Sequence, residues 1–448
     1  MKEQFLNRFT LPVFGFFIKF CARFNVMWPI VKLTCFFIVS SKLKETPKQK
    51  RILVLTASRF RGDPSVLEET GDFFFLSLSE SWQNRIIFSF FDVRPSFEAV
   101  FQPSGDEEAR AHSKLKSFLD SFIPALVEAL RIDAVISAAV HYTSDYLWGS
   151  HFSSHKTPFI IFHKECFHTT KERRDFWIEK WKPTGKNFIF DFCIFHNEII
   201  RKNFADSGVF PLEKTASYGA LRMDNFINKF YQKYPKPPQK KRITLFSFTH
   251  AVGLGGAAEF WSDYDNPDGF AGMFEDVHTA FGRFATNHPD VECILKPKWG
   301  GVWVDEFYKV FDRNGIDYKN LSNLRIIESS DVHELIEEST IICGYGSTTL
   351  LEASIVGRPV VVTLMNEALR DDYQSQIQML DDLKYFDVAT NEARLHQVLE
   401  QLLERPFVDL DKQIAREQLF NKWISSVKAD ARENYAIKVL EVIAASKH

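Results

Sequence analysis

Short apolar runs alternate with amphipathic stretches along most of the chain. Runs of this kind, too short for helices and flanked by turn residues, read as buried strands. Strands are predicted from Ile52 ("ILVLTASR") and at Ile86–Phe91, Ala134–Val140, Pro158–Phe162 and Phe188–Phe195. Between them the apolar spacing is helical, as in Glu107 to Arg131. The stretch "YQKYPKPPQKKR", 231–242, combines prolines with basic residues and reads as a linker. A second series follows, with strands predicted at Ile243–Phe248, Val291–Lys296, Leu324–Ile327, Ile341–Cys343 and Pro359–Thr363. Its helices fall near 270–288, 303–313, 331–338, 348–356 and 393–404, and 411–446 reads as one or two further helices.

Continuous apolar strands alternating with helices imply parallel sheets covered on both faces. The expected fold is α/β: two doubly wound, Rossmann-like domains with an N-terminal amphipathic segment and C-terminal helices. The boundaries expected are 1–48 for that segment, 49–230 for the first domain, 231–242 for the linker, 243–410 for the second domain and 411–448 for the terminal helices. Ligands of such sheets bind outside the carboxyl ends of the strands. With two domains, the cleft between them is the expected site.

Residues 5–39 break the pattern. They are dense in Phe, Val, Ile and Trp, and Arg8, Lys19, Arg23 and Lys32 interrupt them. No window there is as clean as a spanning helix requires, and the recurring charges do not fit a cleaved leader. Basic residues among aromatics fit a segment lying in a membrane interface. An ordinary pair of core-packing helices is the alternative.

Composition adds less. The chain has 448 residues, 45% hydrophobic and 25% charged, which suits large cores. A net charge of −3 offers nothing to a nucleic acid. Six Cys are scattered without any CxxC, implying free thiols and no zinc site.

One unit stands out: "ICGYGSTTLLEASIVGRPVVV", 342–362. Gly344 and Gly346 allow a sharp turn and close approach of a ligand. Ser347, Thr348 and Thr349 stand where a helix cap and first turn belong. Free N–H groups and the helix dipole favour an anion there. Glu352, one turn further in, shares a face with Thr348 or Thr349, where it can accept from ribose hydroxyls. A capped helix with a solvated Glu is the plainer alternative.

This stretch, with its lead-in "VHELIEEST", resembles the C-terminal-domain signature of nucleotide-sugar enzymes of the two-domain GT-B architecture. The resemblance implies that Gly346, Ser347 and Thr348 meet phosphate and that Glu352 meets ribose. "ECILKPKWGG" is similar to the strand ending in a basic residue and Pro of several such families, which would set Lys296 or Lys298 on donor phosphate. "TASYGALRMDNF" resembles the G-x-x-R-x-D segment of bacterial surface-polysaccharide transferases, through Gly219, Arg222 and Asp224. It departs from the commoner form, which has Pro where Leu221 stands. In the retaining β-Kdo transferases, which look similar here, an Asp acts as nucleophile and a second carboxylate as acid/base. Asp224 and Glu165, the latter in "IIFHKECFHTT", are the residues carried over.

His250 ends the strand "ITLFSFTH", and the Gly-rich "AVGLGGAAEFW" follows, with Gly255 able to bring backbone N–H groups to a ligand. His250 is a candidate for acid/base work or for contact with the sugar. Arg59 and Arg61, in "TASRFRGD" at another strand end, are candidates for an anionic acceptor.

No D-x-D stands in a strand–loop setting suited to a metal–diphosphate, "DYDNPDG", 263–269, lacks the full twelve-residue calcium-loop pattern, and no P-loop, G-x-S-x-G or H-E-x-x-H is present. A metal-independent enzyme without cofactor is expected, with the nucleotide sugar as substrate. The resemblance implies a glycosyltransferase on the cytoplasmic face of a bacterial inner membrane, moving sugar from a nucleotide donor (CMP-Kdo by the Asp224 and Glu165 pattern) to a glycan or lipid-linked acceptor. Alternatives are a CDP-glycerol-type polyol-phosphate transferase, a sugar-nucleotide epimerase of the same fold, and a non-catalytic scaffold.

Overall fold

The structure is a computed structural model. It describes residues 14–24, 26–41, 44–91, 95–182, 187–231, 240–248, 269–298 and 300–447. The chain forms two compact units. Unit 1 comprises residues 1–166, 178–225 and 429–448, and unit 2 comprises 167–177 and 226–428.

Unit 1 holds a seven-stranded sheet, ordered β1-β3-β2-β4-β5-β6-β7. The strands are β1 (Val39–Ser40), β2 (Lys50–Leu55), β3 (Phe73–Leu78), β4 (Ala134–Ser137), β5 (Phe159–His163), β6 (Phe192–Phe195) and β7 (Thr215–Ser217). All pairings are parallel except the antiparallel edge β1–β3. The order reverses between β2 and β4, the switch point where such sheets leave a crevice.

Unit 2 has six parallel strands ordered β10-β9-β8-β11-β12-β13. They are β8 (Arg242–Phe246), β9 (Glu292–Lys296), β10 (Leu324–Ile326), β11 (Ile341–Gly344), β12 (Val360–Thr363) and β13 (Asp387–Ala389). This is the doubly wound order of dinucleotide-binding folds, with its switch point between β8 and β11. The expected α/β class with two doubly wound sheets is what the chain adopts.

One predicted strand is wrong. Ile86 and Ile87 end the helix Glu80–Ile87, which Ser79 starts by accepting from Trp82 N at 3.2 Å. The strand is "FFFLSL", β3, almost wholly buried. An apolar run shows burial, and here the cap decides between helix and strand. The short edge strands β1, β7 and β13 are too brief to carry a pattern. Of the expected linker, residues 232–239 lie outside the described residues.

The last two helices part company. Leu410–Trp423 lies in unit 2, where Gln413 donates to Ser354 O at 2.7 Å. Ala431–Ala445 belongs to unit 1. Its Tyr435, Val439 and Ile443, one turn apart, join the core made by Ile52 and Val54 of β2, Ile136 of β4, Ile160 of β5 and Ile194 of β6.

Candidate functional site

In unit 2, β11 ends on Gly344, which pairs with Phe246 of β8. A Cβ there would lie 2.9 Å from the Phe246 carbonyl oxygen, so only Gly lets these strands meet at the switch point. Gly346 turns the chain with φ of +56°, and the Gln378 side chain backs it. Ser347 caps the helix Thr348–Ile355, accepting from Thr349 N at 3.3 Å and sharing a hydrogen bond with the Thr349 hydroxyl at 2.7 Å. Ser347 and Thr348 are half-buried at the positive end of that helix.

Glu352 is not solvated. It is 3% exposed, with its carboxylate 3.4 Å from His333 Nε2. The His333 ring lies over Phe226, centroids 4.1 Å apart. The turn of helix that carries Thr348 therefore also carries a shielded carboxylate.

Lys296 ends β9 half-buried. Its ammonium donates to the backbone oxygens of Pro297 (3.1 Å) and Glu328 (2.9 Å). Burial lowers its pKa, and Glu328 partly offsets this. Lys298 is exposed. His250 and Gly255 lie outside the described residues.

In unit 1 the strand ends carry charge. Arg59 pairs with Glu80 at 2.7 Å and stacks 3.8 Å above the Tyr142 ring. Lys164 donates to Arg59 O at 2.5 Å and stands 3.8 Å from the Glu165 carboxylate. The Glu165 side chain is 46% exposed. Burial pushes His141 down to about 4, against the nearby Glu165 charge, and Tyr142 up to about 12, where Glu165 adds to the rise.

The G-x-x-R-x-D segment has a different occupation from the one its resemblance implies. Gly219, at φ +85°, offers its carbonyl to the Tyr435 hydroxyl at 3.1 Å. Arg222 donates its backbone N–H to the Asp63 carboxylate at 2.9 Å. Asp224 is 0% exposed, and its oxygens accept from Ala431 N (3.3 Å) and Arg432 N (2.7 Å). It is a remote cap for the helix Ala431–Ala445, whose own Asp430 makes no side-chain cap. Burial raises its pKa, against the two N–H groups that hold it charged. A shielded carboxylate bound to two backbone donors is not presented for attack on a sugar.

Sequence reading passes over several residues here. Asp63 is 3% exposed and its pKa is raised by burial, with Arg222, Lys164 and Arg61 acting against the rise. Asp145, also buried, accepts from Thr56 (2.6 Å) and Ser137 (3.0 Å) and ties the ends of β2 and β4 together. Thr169 gives both its N–H and its hydroxyl to Gln378 and takes a bond from Met379 N at 2.7 Å. Strained loop residues, Thr56 at φ +52° and Arg61 at +54°, surround the first of these sites. Asp63 and Asp145 had a signal, their places in the strand-end stretches "TASRFRGD" and "SAAVHYTSDY".

Among the described residues, no cluster of His, Cys, Asp or Glu suits a metal ion.

No family model matches the chain, and no curated protein matches it. Solved structures similar to it include UDP-GlcNAc 2-epimerase from Neisseria meningitidis bound to UDP-GlcNAc, at 14% identity and TM-score 0.48, covering 88% of this chain and 100% of that one. HepE of Anabaena in complex with UDP-glucose follows at 11% identity and TM-score 0.46, covering 87% and 99%. Trehalose 6-phosphate synthase from Burkholderia multivorans is similar at 12% identity and TM-score 0.46, covering 89% and 98%. The likeness is one of fold.

Proposed function

We propose that the chain is an enzyme acting on a nucleotide-activated sugar. The diphosphate lies against Gly346, Ser347 and Thr348, and the ribose reaches Glu352. One observation carries this reading: a Gly-Ser-Thr turn at the switch point of unit 2, with a buried carboxylate one turn into the following helix. Backbone donors and the helix dipole take the phosphate charge, and lysines such as Lys298 add to it without a metal.

The reaction we favour is glycosyl transfer to a glycan or lipid-linked acceptor. The cations Arg59 and Lys164 at the unit 1 strand ends suit an acceptor bearing negative charge. Epimerisation of the nucleotide sugar is the second reading. It needs a carboxylate able to take and return a proton, and the half-exposed Glu165, just after β5, and the buried Asp63, which starts the helix Asp63–Glu68, are the unit 1 candidates. A CMP-Kdo donor with Asp224 as nucleophile draws no support from the cap that Asp224 makes. A polyol-phosphate transferase needs no such nucleophile and is separated by its CDP-linked substrate.

Thermal-shift measurements with UDP, CDP and CMP test the premise, with stabilisation expected from at least one and lost in Ser347→Ala. If none stabilises the chain, the nucleotide reading is wrong. Incubation of the bound nucleotide's sugar in deuterated water without acceptor then separates the reactions. Deuterium at a sugar carbon marks epimerisation, whereas nucleotide release only with acceptor marks transfer.

A further inference from the structure

Two helices at the start of unit 1, residues 14–23 and Trp28–Phe37, are apolar on their outer as well as their inner faces. Their inner faces are complete. Ile18, Ile30, Val31 and Thr34 are each 0% exposed. Trp82 holds them to the body, with its ring 5.2 Å from that of Phe14, stacked 4.3 Å from Phe37, and its N–H donating to the Thr34 hydroxyl at 3.1 Å.

The outer faces are aromatic. Phe16 is 74% exposed, Phe20 51%, Phe24 58%, Trp28 58% and Phe36 81%. Phe16, Phe20 and Phe24 recur every four residues, as do Trp28, Lys32 and Phe36, so each set lines one stripe. Exposed aromatics scattered singly need no explanation, but aligned stripes do. Lys19, Arg23 and Lys32 are exposed among them, with Lys32 5.3 Å above the Trp28 ring and Arg23 5.9 Å from that of Phe24. The sequence has no Asp or Glu between Glu3 and Glu45, although the whole chain carries −3.

We infer that this face docks on an anionic lipid surface, the aromatic rings entering the boundary between headgroups and acyl chains and the three cations lying at the phosphates. Charge selects this occupant. A second copy related by a two-fold axis would set the same cations against each other with no carboxylate between them. Among the described residues, no helix is long and apolar enough to cross a membrane, and ten residues of helix reach only about 15 Å. The segment lies on the surface. This inference does not rest on the nucleotide reading, since vesicle binding is read without nucleotide.

The test is co-sedimentation of the full chain with vesicles of phosphatidylcholine alone or with about 30% phosphatidylglycerol. The chain is expected to pellet with the anionic vesicles, and less as salt rises. Phe16→Ser, Phe20→Ser and Phe36→Ser combined should weaken that partition by about tenfold or more. Lys19→Glu, Arg23→Glu and Lys32→Glu combined should remove the preference for anionic lipid. Melting curves matched to the parent chain show that these exposed changes leave the fold intact. A chain that stays in the supernatant, a parent that binds both vesicles equally, or a dimer in solution that the Phe changes dissolve would each overturn the inference.

Discussion

Around the switch point of unit 1, charged side chains pair, Arg59 with Glu80 and Lys164 beside Glu165, while the buried Asp63 takes the Arg222 backbone N–H. Around that of unit 2 the chain is small and hydroxylated, from Gly344 through Gly346 to Ser347 and Thr348, with one acid buried behind. The same doubly wound architecture thus carries two kinds of edge. The unit 2 edge is held by backbone geometry: a Cβ at Gly344 would meet the Phe246 carbonyl, and Gly346 turns at positive φ. The unit 1 edge is held by side-chain pairs such as Arg59 with Glu80, which can be removed one at a time.

Four measurements test that contrast, and a fifth sets its baseline. The largest effect concerns His278, buried in unit 2 with its Nε2 facing the Ser247 hydroxyl at 2.8 Å and its Nδ1 facing Phe274 O at 2.5 Å. Burial lowers its pKa from 6.5 to about 4. The unfolded chain therefore takes up a proton that the folded chain refuses. The part of stability that His278 sets is complete above about 6.5, falls as pH drops through that window and levels off below about 4, a loss of about 3 kcal/mol. His278→Gln should flatten that loss, read by hydrogen exchange of β8 and β9 peptides at pH 4.5 and 7. An unchanged profile would mean that other groups set the acid sensitivity of unit 2.

Next is Asp224→Ala. It strips the remote cap from the helix Ala431–Ala445 and should cost unit 1 about 2 kcal/mol. Exchange should quicken in that helix, while nucleotide affinity stays as it was. A loss of turnover with an unaltered exchange pattern would restore the carboxylate to a chemical role. Glu352→Gln comes third, weakening nucleotide binding by about tenfold, or about 1.4 kcal/mol by calorimetry. Fourth, Gly346→Ala puts a side chain at positive φ and should cost about 1 kcal/mol in denaturant unfolding. The baseline is Arg59→Ala, which removes a partly exposed ion pair worth about 0.5 kcal/mol. It should leave nucleotide affinity alone, and a large drop would blur the distinction between the two edges.

Local pattern and long-range partnership were legible to very different degrees. Strands β11 and β12 could be read because each is built on an unbroken apolar run, Ile341–Cys343 and Val360–Val362. Ser347 as a cap followed from residue type and position alone. The burial of Glu352 did not, since it depends on His333 and on Phe226, far away in sequence. Asp224 is the sharper case. Its spacing from Gly219 and Arg222 matches a transferase motif, yet all three make their contacts elsewhere: Tyr435, Asp63 and Arg432. A motif fixes which residues are near each other, and nothing in it states what arrives from elsewhere in the chain.

The helix Ala431–Ala445, which fills part of the unit 1 core, also dictates an order of assembly. Arg432 follows Asp224 by 208 residues. At about 10 residues per second on a ribosome, its partner emerges roughly 20 s later. During that interval the first sheet waits with its Tyr435 and Val439 sockets empty, although every one of its strands has been made. Unit 2, begun later, contains its whole chain before the first unit does. The earlier half of the protein is thus the later to mature, and it is the half that a nascent-chain chaperone would be expected to shelter.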